Sequence, residues 1–265
     1  MVVVDDVAFR RLPGAIAMYR AGQAQLRGDV ASTVTHARRA LELADEDDHL
    51  GRGAAAALLG LAYWTSADLD AALGWYAEGM ASLAKAGHVA DVVAGAVTLA
   101  DLRIAQGRLR EAMTLYEEGL QRAIEHGVPA LRGAADMHSG LSQLLYERDD
   151  LEAALQHVQM SRDLGVPAGF PQNEYRWRVA LARIRQAQGD LDGALDLLSE
   201  AERLYAGDFS PNVRPVSALQ ARVWVAFGRR DEALGWARTQ GLSPADDLSY
   251  LHEFEHITLA RVLLA

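Results

Sequence analysis

The feature that most constrains the fold is a turn that recurs along the chain about every forty residues. Six residues mark this turn, at steps of 39, 40, 42, 40 and 39 positions: Gly28, Ala67, Gly107, Asp149, Gly189 and Gly228. A small residue stands seven positions before each of these turn residues, and another stands five positions after it. Two antiparallel helices joined by a short turn approach closely only where both carry small side chains. The pattern therefore predicts a repeat of helical hairpins.

The small residues form columns that can be read from one copy to the next. The column before the turn is Ala21, Gly60, Ala100, Ser142, Ala182 and Ala221, and the column after it is Thr33, Ala72, Ala112, Ala154, Ala194 and Ala233. This spacing resembles the tetratricopeptide repeat, whose standard unit of 34 residues is shorter. We expect an all-α fold, a right-handed superhelix of tetratricopeptide-like hairpins with a period of about 40 residues. Residues 1–265 are predicted to form one solenoid domain of six hairpins and an unpaired C-terminal helix.

Each turn carries a second signal at the residue that follows it. Aspartate, which caps helix N-termini by accepting from free backbone amides, follows four of the turns, at positions 29, 68, 150 and 190. Arg108 and Arg229 replace it in the other two copies. Near the end, Leu259–Leu263 repeats the pattern of a first helix, and the next turn residue would be number 267. The sequence thus predicts a seventh first helix, a fragment of a longer protein, and an apolar face open to self-association.

Composition excludes several other classes of protein. The chain has 265 residues, a net charge of −10 and no cysteine, so disulfides, thiol catalysis and cysteine-bound zinc are ruled out. The negative charge argues against direct contact with nucleic acid. Lys85 is the only lysine, which excludes the Gly-Lys-Ser/Thr phosphate loop. Apolar runs are shorter than the roughly twenty residues that span a bilayer, so we expect no membrane contact, a cytoplasmic location and no cofactor.

Several segments resemble the helical-repeat sensor region of MalT-like regulators, the ATP-dependent LuxR-type transcriptional activators. They are AFRRLPGAIAMYRAGQAQLRGDV, LGLAYW, RGAADMHSGLSQLLYERDDLEAAL, QNEYRWRVALARIRQAQGDLDGAL, YAGDFSPNVRPV and LSYLHEFEHITLARVLLA, and together they span essentially the whole chain. The resemblance implies a sensor that binds a small-molecule inducer. It also implies partner modules in the full-length protein, an ATPase before the sensor and a DNA-binding helix-turn-helix after it.

The segment His252–His256, HEFEH, is a formal match to the zinc-protease motif HExxH. It coincides with a predicted repeat helix and leaves no room for a third ligand downstream, so we favour an ordinary helix face and expect no enzyme. The histidines at positions 36, 49, 88, 126, 138 and 157 are predicted to be surface residues. Asp45–Asp48 lacks the ligand spacing of a calcium loop and is predicted to be a solvated acidic turn.

The predicted ligand site comes from positions thirteen, ten, six and three before each turn residue. In a tetratricopeptide-like superhelix these positions of the first helix line the concave face. They are mainly small or apolar in the first three repeats and polar in the last three. The candidate ligand-binding residues are Trp64, Asp101, Asp136, Ser139, Gln143, Tyr146, Arg176, Arg183, Gln186 and Arg222.

The chemistry of this site leaves its ligand open. Arg176 and Arg183 favour an anionic metabolite, whereas Asp136, Gln143 and Tyr146 favour a sugar. An alternative is that Asp136 and Arg176 simply pair across neighbouring repeats. The segment at 172–178, QNEYRWR, allows a similar choice between ligand contact and packing.

Two functions fit these features. The first is a signal-sensing and oligomerisation domain of a transcriptional regulator, which responds to a small-molecule inducer in its groove. The alternative is a protein-interaction scaffold that holds a peptide or a partner's helix.

Overall fold

The computed structural model describes residues 6–125, 131–205, 207 and 209–265, with side chains from residue 9 onward. These residues form thirteen α-helices, one 3₁₀ helix and no strand, which confirms the all-α fold class. The helices are α1 (Asp6–Leu26), α2 (Val30–Leu43), α3 (His49–Thr65), α4 (Leu69–Lys85), α5 (Val89–Ala105), α6 (Leu109–Glu125), α7 (Ala134–Tyr146), α8 (Leu151–Ala168), α9 (Asn173–Ala187), α10 (Leu191–Leu204), α11 (Val216–Ala226), α12 (Arg230–Thr239) and α13 (Glu253–Leu264), with the 3₁₀ helix at Tyr250–His252.

All six predicted turn residues adopt the same left-handed backbone conformation. Their φ angles lie between 62° and 81°, and two of them, Ala67 and Asp149, are not glycine. The amide that follows each turn residue donates to a carbonyl four positions before the turn, as Asp68 does to Tyr63 at 3.0 Å. This geometry closes the end of the first helix and satisfies carbonyls that the helix leaves free. The predicted turns are therefore confirmed.

The helices that follow the turns begin with the predicted caps. In four of them an aspartate carboxylate accepts from the amide three residues on, at 3.0–3.1 Å: Asp29, Asp68, Asp150 and Asp190. Where arginine replaces aspartate, a glutamate stands three residues later and pairs with it. Arg108 lies 2.6 Å from Glu111, and Arg229 lies 2.8 Å from Glu232. The negative charge in the first helical turn is thus retained at both positions, where it suits the helix dipole.

Every residue of the two small columns is buried. A Cβ atom added to Gly60 would lie 2.9 Å from the carbonyl oxygen of Ala72, which belongs to the facing helix. Carbon and oxygen do not approach so closely without displacement, so no larger side chain fits there without moving a helix. The columns therefore mark close helix approaches, as their spacing predicts.

The chain divides into two compact units. The first comprises residues 1–115 with 208–211, and the second comprises residues 116–207 with 212–265. In the first unit α1 pairs with α2 and α3 with α4, and α3 also packs against α1. Its cores are built from small and aliphatic side chains such as Ala21, Ala37 and Leu59.

In the second unit the pairs are α7 with α8, α9 with α10 and α11 with α12. The first helices also contact one another, α7 with α9 and α11 with α13, whereas no two second helices in its described part make a comparable contact. Elements nearest the inner side of a curved stack approach each other most closely. We refer to the first helices α7, α9, α11 and α13 as the inner layer of this unit, in which α9 and α11 contact each other less than α7 does α9 or α11 does α13. Helix α13 occupies the place of a seventh first helix and packs on α11 and α12.

Candidate ligand-binding site

The ten predicted ligand-binding residues all lie on first helices of the hairpins. Two belong to the first unit, Trp64 on α3 and Asp101 on α5. The other eight belong to the second unit, on its inner-layer helices α7, α9 and α11: Asp136, Ser139, Gln143, Tyr146, Arg176, Arg183, Gln186 and Arg222. The second unit therefore contains a set of polar residues on three successive first helices.

Three of these residues are less accessible than the periodicity suggests. Trp64 is 4% exposed, and Asp136 and Ser139 are each 1% exposed. The expectation that these positions face solvent is wrong, because closely packed first helices cover one another's flanks. The Ser139 hydroxyl has no hydrogen-bond partner among the described residues. Gln143 and Gln186 are half-buried and remain open to a ligand.

Asp136 and Arg176 form the pair that the sequence left as an alternative. The two groups approach to 3.7 Å, between α7 and α9. The other carboxylate oxygen of Asp136 accepts from the amide of Phe170 at 2.7 Å. A buried carboxylate needs such partners to offset its lost hydration. The charge of Arg176 is therefore balanced within the protein.

Arg183 is also committed to a neighbour on the preceding hairpin. Its guanidinium lies 2.6 Å from the carboxylate of Glu147, directly after α7, and 4.2 Å from the ring centroid of Tyr146. A cation over an aromatic face and beside a carboxylate is held in one orientation. Arg183 thus connects α9 to the end of α7 and remains only partly buried.

Arg222 differs from the other two arginines because it has no acidic partner among the described residues. Its Nε donates to the Thr258 hydroxyl at 2.9 Å, and its guanidinium carbon lies 3.7 Å from the ring centroid of Phe254. Within the described ranges no carboxylate comes within 4.0 Å of it. Burial first, and then the charges of Arg261, Arg214 and Arg183, lower the pKa of Arg222 to about 10.

Four residues that surround Arg222 were not predicted from the sequence. Phe254, Thr258 and Arg261 lie on α13, and Arg214 lies just before α11. The inner-face positions were read only for the six complete hairpins, so α13 was left out. The signal was available in the spacing, because Arg183, Arg222 and Arg261 follow one another at steps of 39 residues.

In the segment at 172–178, Trp177 and Arg178 are used for packing. Trp177 is 8% exposed and packs in a core with Leu181 as a partly buried neighbour. The guanidinium of Arg178 lies 4.1 Å from the Trp177 ring centroid and pairs with Glu174 at 2.6 Å and Glu200 at 2.9 Å. The packing interpretation of Trp177 and Arg178 is therefore confirmed.

The HEFEH segment does not form the geometry of a zinc protease. His252 ends the 3₁₀ helix and His256 lies on α13, so the two are not on one regular helix. The ring of His256 hydrogen-bonds through Nδ1 to the His252 carbonyl at 3.0 Å and through Nε2 to Asp246 at 3.3 Å. No group of three metal-binding side chains occurs in the described part of the chain.

Two histidines predicted to be ordinary surface residues form a half-buried pair. The Nδ1 atoms of His138 on α7 and His157 on α8 lie 2.8 Å apart, so one ring donates to the other. Burial, and then His157, lower the pKa of His138 to about 4, and burial lowers the pKa of His157. The surface assignment is wrong here because the sequence does not show that the two face each other. His126 lies outside the described residues.

A concave pocket of about 440 Å³ lies beside the predicted site, in the second unit. The end of α8, the start of α9 and the segment between them form most of its wall, and none of the ten predicted residues lines it. The lining residues are Arg132, Val166, Pro167, Gly169, Phe170, Pro171, Asn173 and Glu174. The pocket is open and mainly apolar, with polar side chains only from Arg132, Asn173 and Glu174 among its lining residues.

The sequence matches the MalT-like TPR region over residues 14–265. The chain belongs to the MalT-like TPR region family. This match covers nearly the whole chain and agrees with the resemblance seen in its non-repeating segments. No curated protein matches the sequence.

Solved structures similar to this MalT-like TPR region are tetratricopeptide-like proteins. PilF of Pseudomonas aeruginosa has a TM-score of 0.55 at 17% identity, over 94% of this chain and 99% of that one. A tetratricopeptide protein of Thermus thermophilus has a TM-score of 0.56 at 16% identity, over 80% and 99%. A Rap protein complexed with competence and sporulation factor has a TM-score of 0.64 at 12% identity, over 98% and 67%. At these identities the likeness concerns the fold alone.

No helix in the described ranges is both long enough and apolar enough to cross a membrane.

Proposed function

We propose that this MalT-like TPR region is the signal-sensing and oligomerisation region of a cytoplasmic transcriptional regulator. Its inducer is a small molecule that binds the inner layer of the second unit. The observation that carries this proposal is that polar side chains of successive first helices bind one another across hairpins. Asp136 on α7 pairs with Arg176 on α9, and Arg183 on α9 pairs with Glu147 at the end of α7.

These contacts offer a physical route from ligand to assembly. A ligand that competes for Arg183 or Glu147 weakens one arrangement of two neighbouring hairpins and stabilises another. A ligand shifts such an equilibrium only by its difference in affinity for the two arrangements. The sensor would pass this shift to the ATPase and helix-turn-helix modules of the full-length regulator, and we assign it no reaction and no direct contact with nucleic acid.

The candidate ligand contacts are the residues that combine access with polar chemistry. Gln143 and Tyr146 on α7 and Arg183 and Gln186 on α9 are half-buried, and they offer amide, phenol and guanidinium groups. Arg183 lies on the Tyr146 ring, so the two already form one surface. Mixed donors and acceptors beside an aromatic face suit a sugar, whereas the guanidinium suits an anionic metabolite.

A second candidate function is a scaffold for an extended peptide. The observation that favours it is the similarity to a Rap protein whose structure contains competence and sporulation factor, matched over 98% of this chain. Helical solenoids bind extended partners along their inner surface. In this case the inner layer would hold a segment of another protein instead of a metabolite.

Calorimetry with a panel of sugars and anionic metabolites, beside a pull-down from lysate, separates these functions. Arg183→Ala and Gln143→Ala should lower the affinity for the inducer about tenfold or more while the melting temperature stays within a few degrees. Arg185→Ala on the same helix is the matched control. Arg185 is exposed, and its ion pair with Asp190 is long at 3.7 Å, so the substitution removes the same charge from a position outside the proposed site. A lower melting temperature with unchanged affinity would contradict the assignment of Arg183 and Gln143 to the ligand site. Capture of a peptide without any metabolite would favour the scaffold.

A further inference from the structure

Arginine occupies the same position in three successive first helices. Arg183 and Arg222 each lie six residues before a turn residue, and Arg261 follows Arg222 at the same step of 39 residues. They lie on α9, α11 and α13, which belong to the inner layer of the second unit. The charges of Arg183 and Arg261 both act on Arg222, so the three form one row.

The middle of this row has a specific geometry. The Thr258 hydroxyl donates to the Phe254 carbonyl at 2.7 Å and accepts from Arg222 Nε at 2.9 Å. The face of the Arg222 guanidinium lies against the Phe254 ring, at 3.7 Å from the centroid, and Arg214 approaches the same ring to 5.9 Å. The aromatic ring and the hydroxyl hold Arg222 in place through its Nε and its face. Among the described residues nothing accepts from its two terminal nitrogens.

The charges around Arg222 are unbalanced. Arg183 has Glu147 at 2.6 Å, but within the described ranges Arg214, Arg222 and Arg261 have no carboxylate within 4.0 Å. Burial together with this repulsion lowers the pKa of Arg222 to about 10. Uncompensated cations that are partly removed from water destabilise a fold unless an anion accompanies them. An anion that binds to a cluster of this kind relieves the destabilisation, so the cluster favours anion binding.

We propose that Arg214, Arg222 and Arg261 form a binding site for a small metabolite that carries phosphate or carboxylate groups. The terminal nitrogens of Arg222 bind one anionic group in the two-pronged manner of guanidinium, and the neighbouring arginines contribute their charge. Because the row connects α11 to α13, an anion bound there draws these two helices together. The inference rests on the proposed sensing function, for which it names the chemical class of the ligand and a location two repeats beyond Gln143 and Tyr146.

The site is tested by calorimetry on the whole chain, with pyrophosphate and citrate as probes. Arg222→Gln and Arg261→Gln should each weaken pyrophosphate binding about tenfold or more. Arg261 is exposed on α13, so this variant stays informative even if Arg222→Gln lowers stability. The matched control is Arg238→Gln, which removes the same charge from an exposed position on α12 and should change affinity less than about twofold. The order of affinity of pyrophosphate and citrate distinguishes a phosphate ligand from a carboxylate ligand.

Several results would overturn the proposal. Equal losses in the Arg222, Arg261 and Arg238 variants would show attraction to net charge alone. Tighter binding of a hexaglutamate peptide than of either small anion would indicate an acidic protein partner. A neutral sugar that binds through Gln143 while neither anion binds would remove the anion site and leave the sensing function standing. Failure of sugars and anions alike would remove both.

Discussion

At the scale of single residues, the turns show a backbone conformation that ordinary side chains rarely adopt. Ala67 has a φ of 69° and Asp149 a φ of 62°, whereas the other four turn residues are glycine. An L residue in this region brings its Cβ close to the following carbonyl, at a cost of about 1–2 kcal/mol. Glycine avoids this steric cost. Part of that stabilisation is offset because glycine has more conformational freedom than alanine in the unfolded chain and loses more of it on folding.

We therefore predict that Ala67→Gly stabilises the protein, by about 0.5–1 kcal/mol in the free energy of unfolding. The control is the same substitution at Ala77, an exposed position inside α4, where it should cost about 0.8–1 kcal/mol. Urea unfolding of the two variants measures the opposite signs. Destabilisation in both would show that the strain at Ala67 is relieved in some other way.

The His138 and His157 pair gives the fold a dependence on pH. The pKa of His138 is lowered to about 4 in the folded protein, against about 6.5 in an unfolded chain. The folded state thus favours the neutral ring. The corresponding stability is fully present above about pH 6.5 and is lost as the pH falls toward 4.

We expect the free energy of unfolding to fall by about 1 kcal/mol from pH 7 to pH 5 through this pair, after allowance for its partial exposure to solvent. His138→Gln should reduce the difference in melting temperature between the two pH values. His252→Gln, an exposed histidine outside the pair, should leave that difference unchanged. An equal reduction in both variants would mean that the pair is not its source.

At the scale of helices, the columns of small residues decide how closely two helices approach. Ala194 on α10 is fully buried and shares a core with Ala182 on α9. Ala194→Leu adds three carbon atoms where the packed helices leave no free space, and should lower the free energy of unfolding by about 1–3 kcal/mol. Ala77→Leu places the same side chain on an exposed helix face and should change stability by less than about 0.5 kcal/mol. Equal melting temperatures for the two variants would contradict the role of the columns.

At the scale of the whole molecule, net charge governs which partners the chain attracts. Thirty-six acidic residues against 26 basic ones leave a charge of −10. The row of arginines in the second unit is local and does not reverse this balance. We predict that the chain shows no binding of duplex DNA by fluorescence anisotropy at micromolar concentration, since phosphate neutralisation needs a broad basic surface. A signal that disappears with added salt would contradict this prediction.

The sequence by itself determined the repeat. Turn residues, aspartate caps and small columns act over a few positions of one hairpin, so local spacing was sufficient to predict them. The inner-face residues on α7, α9 and α11 followed from the same spacing. What spacing leaves open is which side chain on one helix meets which on the next, because that depends on how two hairpins are rotated and shifted against each other.

Only the tertiary structure decided those pairings. In the structure Arg176 pairs with Asp136 and Arg183 pairs with Glu147, whereas Arg222 has no carboxylate partner among the described residues. Each arginine stands at a regular inner-face position, and the spacing does not show which of them has an acidic partner. The difference arises because a guanidinium is neutralised only by a carboxylate within a few ångströms, and such distances between hairpins are set by packing rather than by position along the chain.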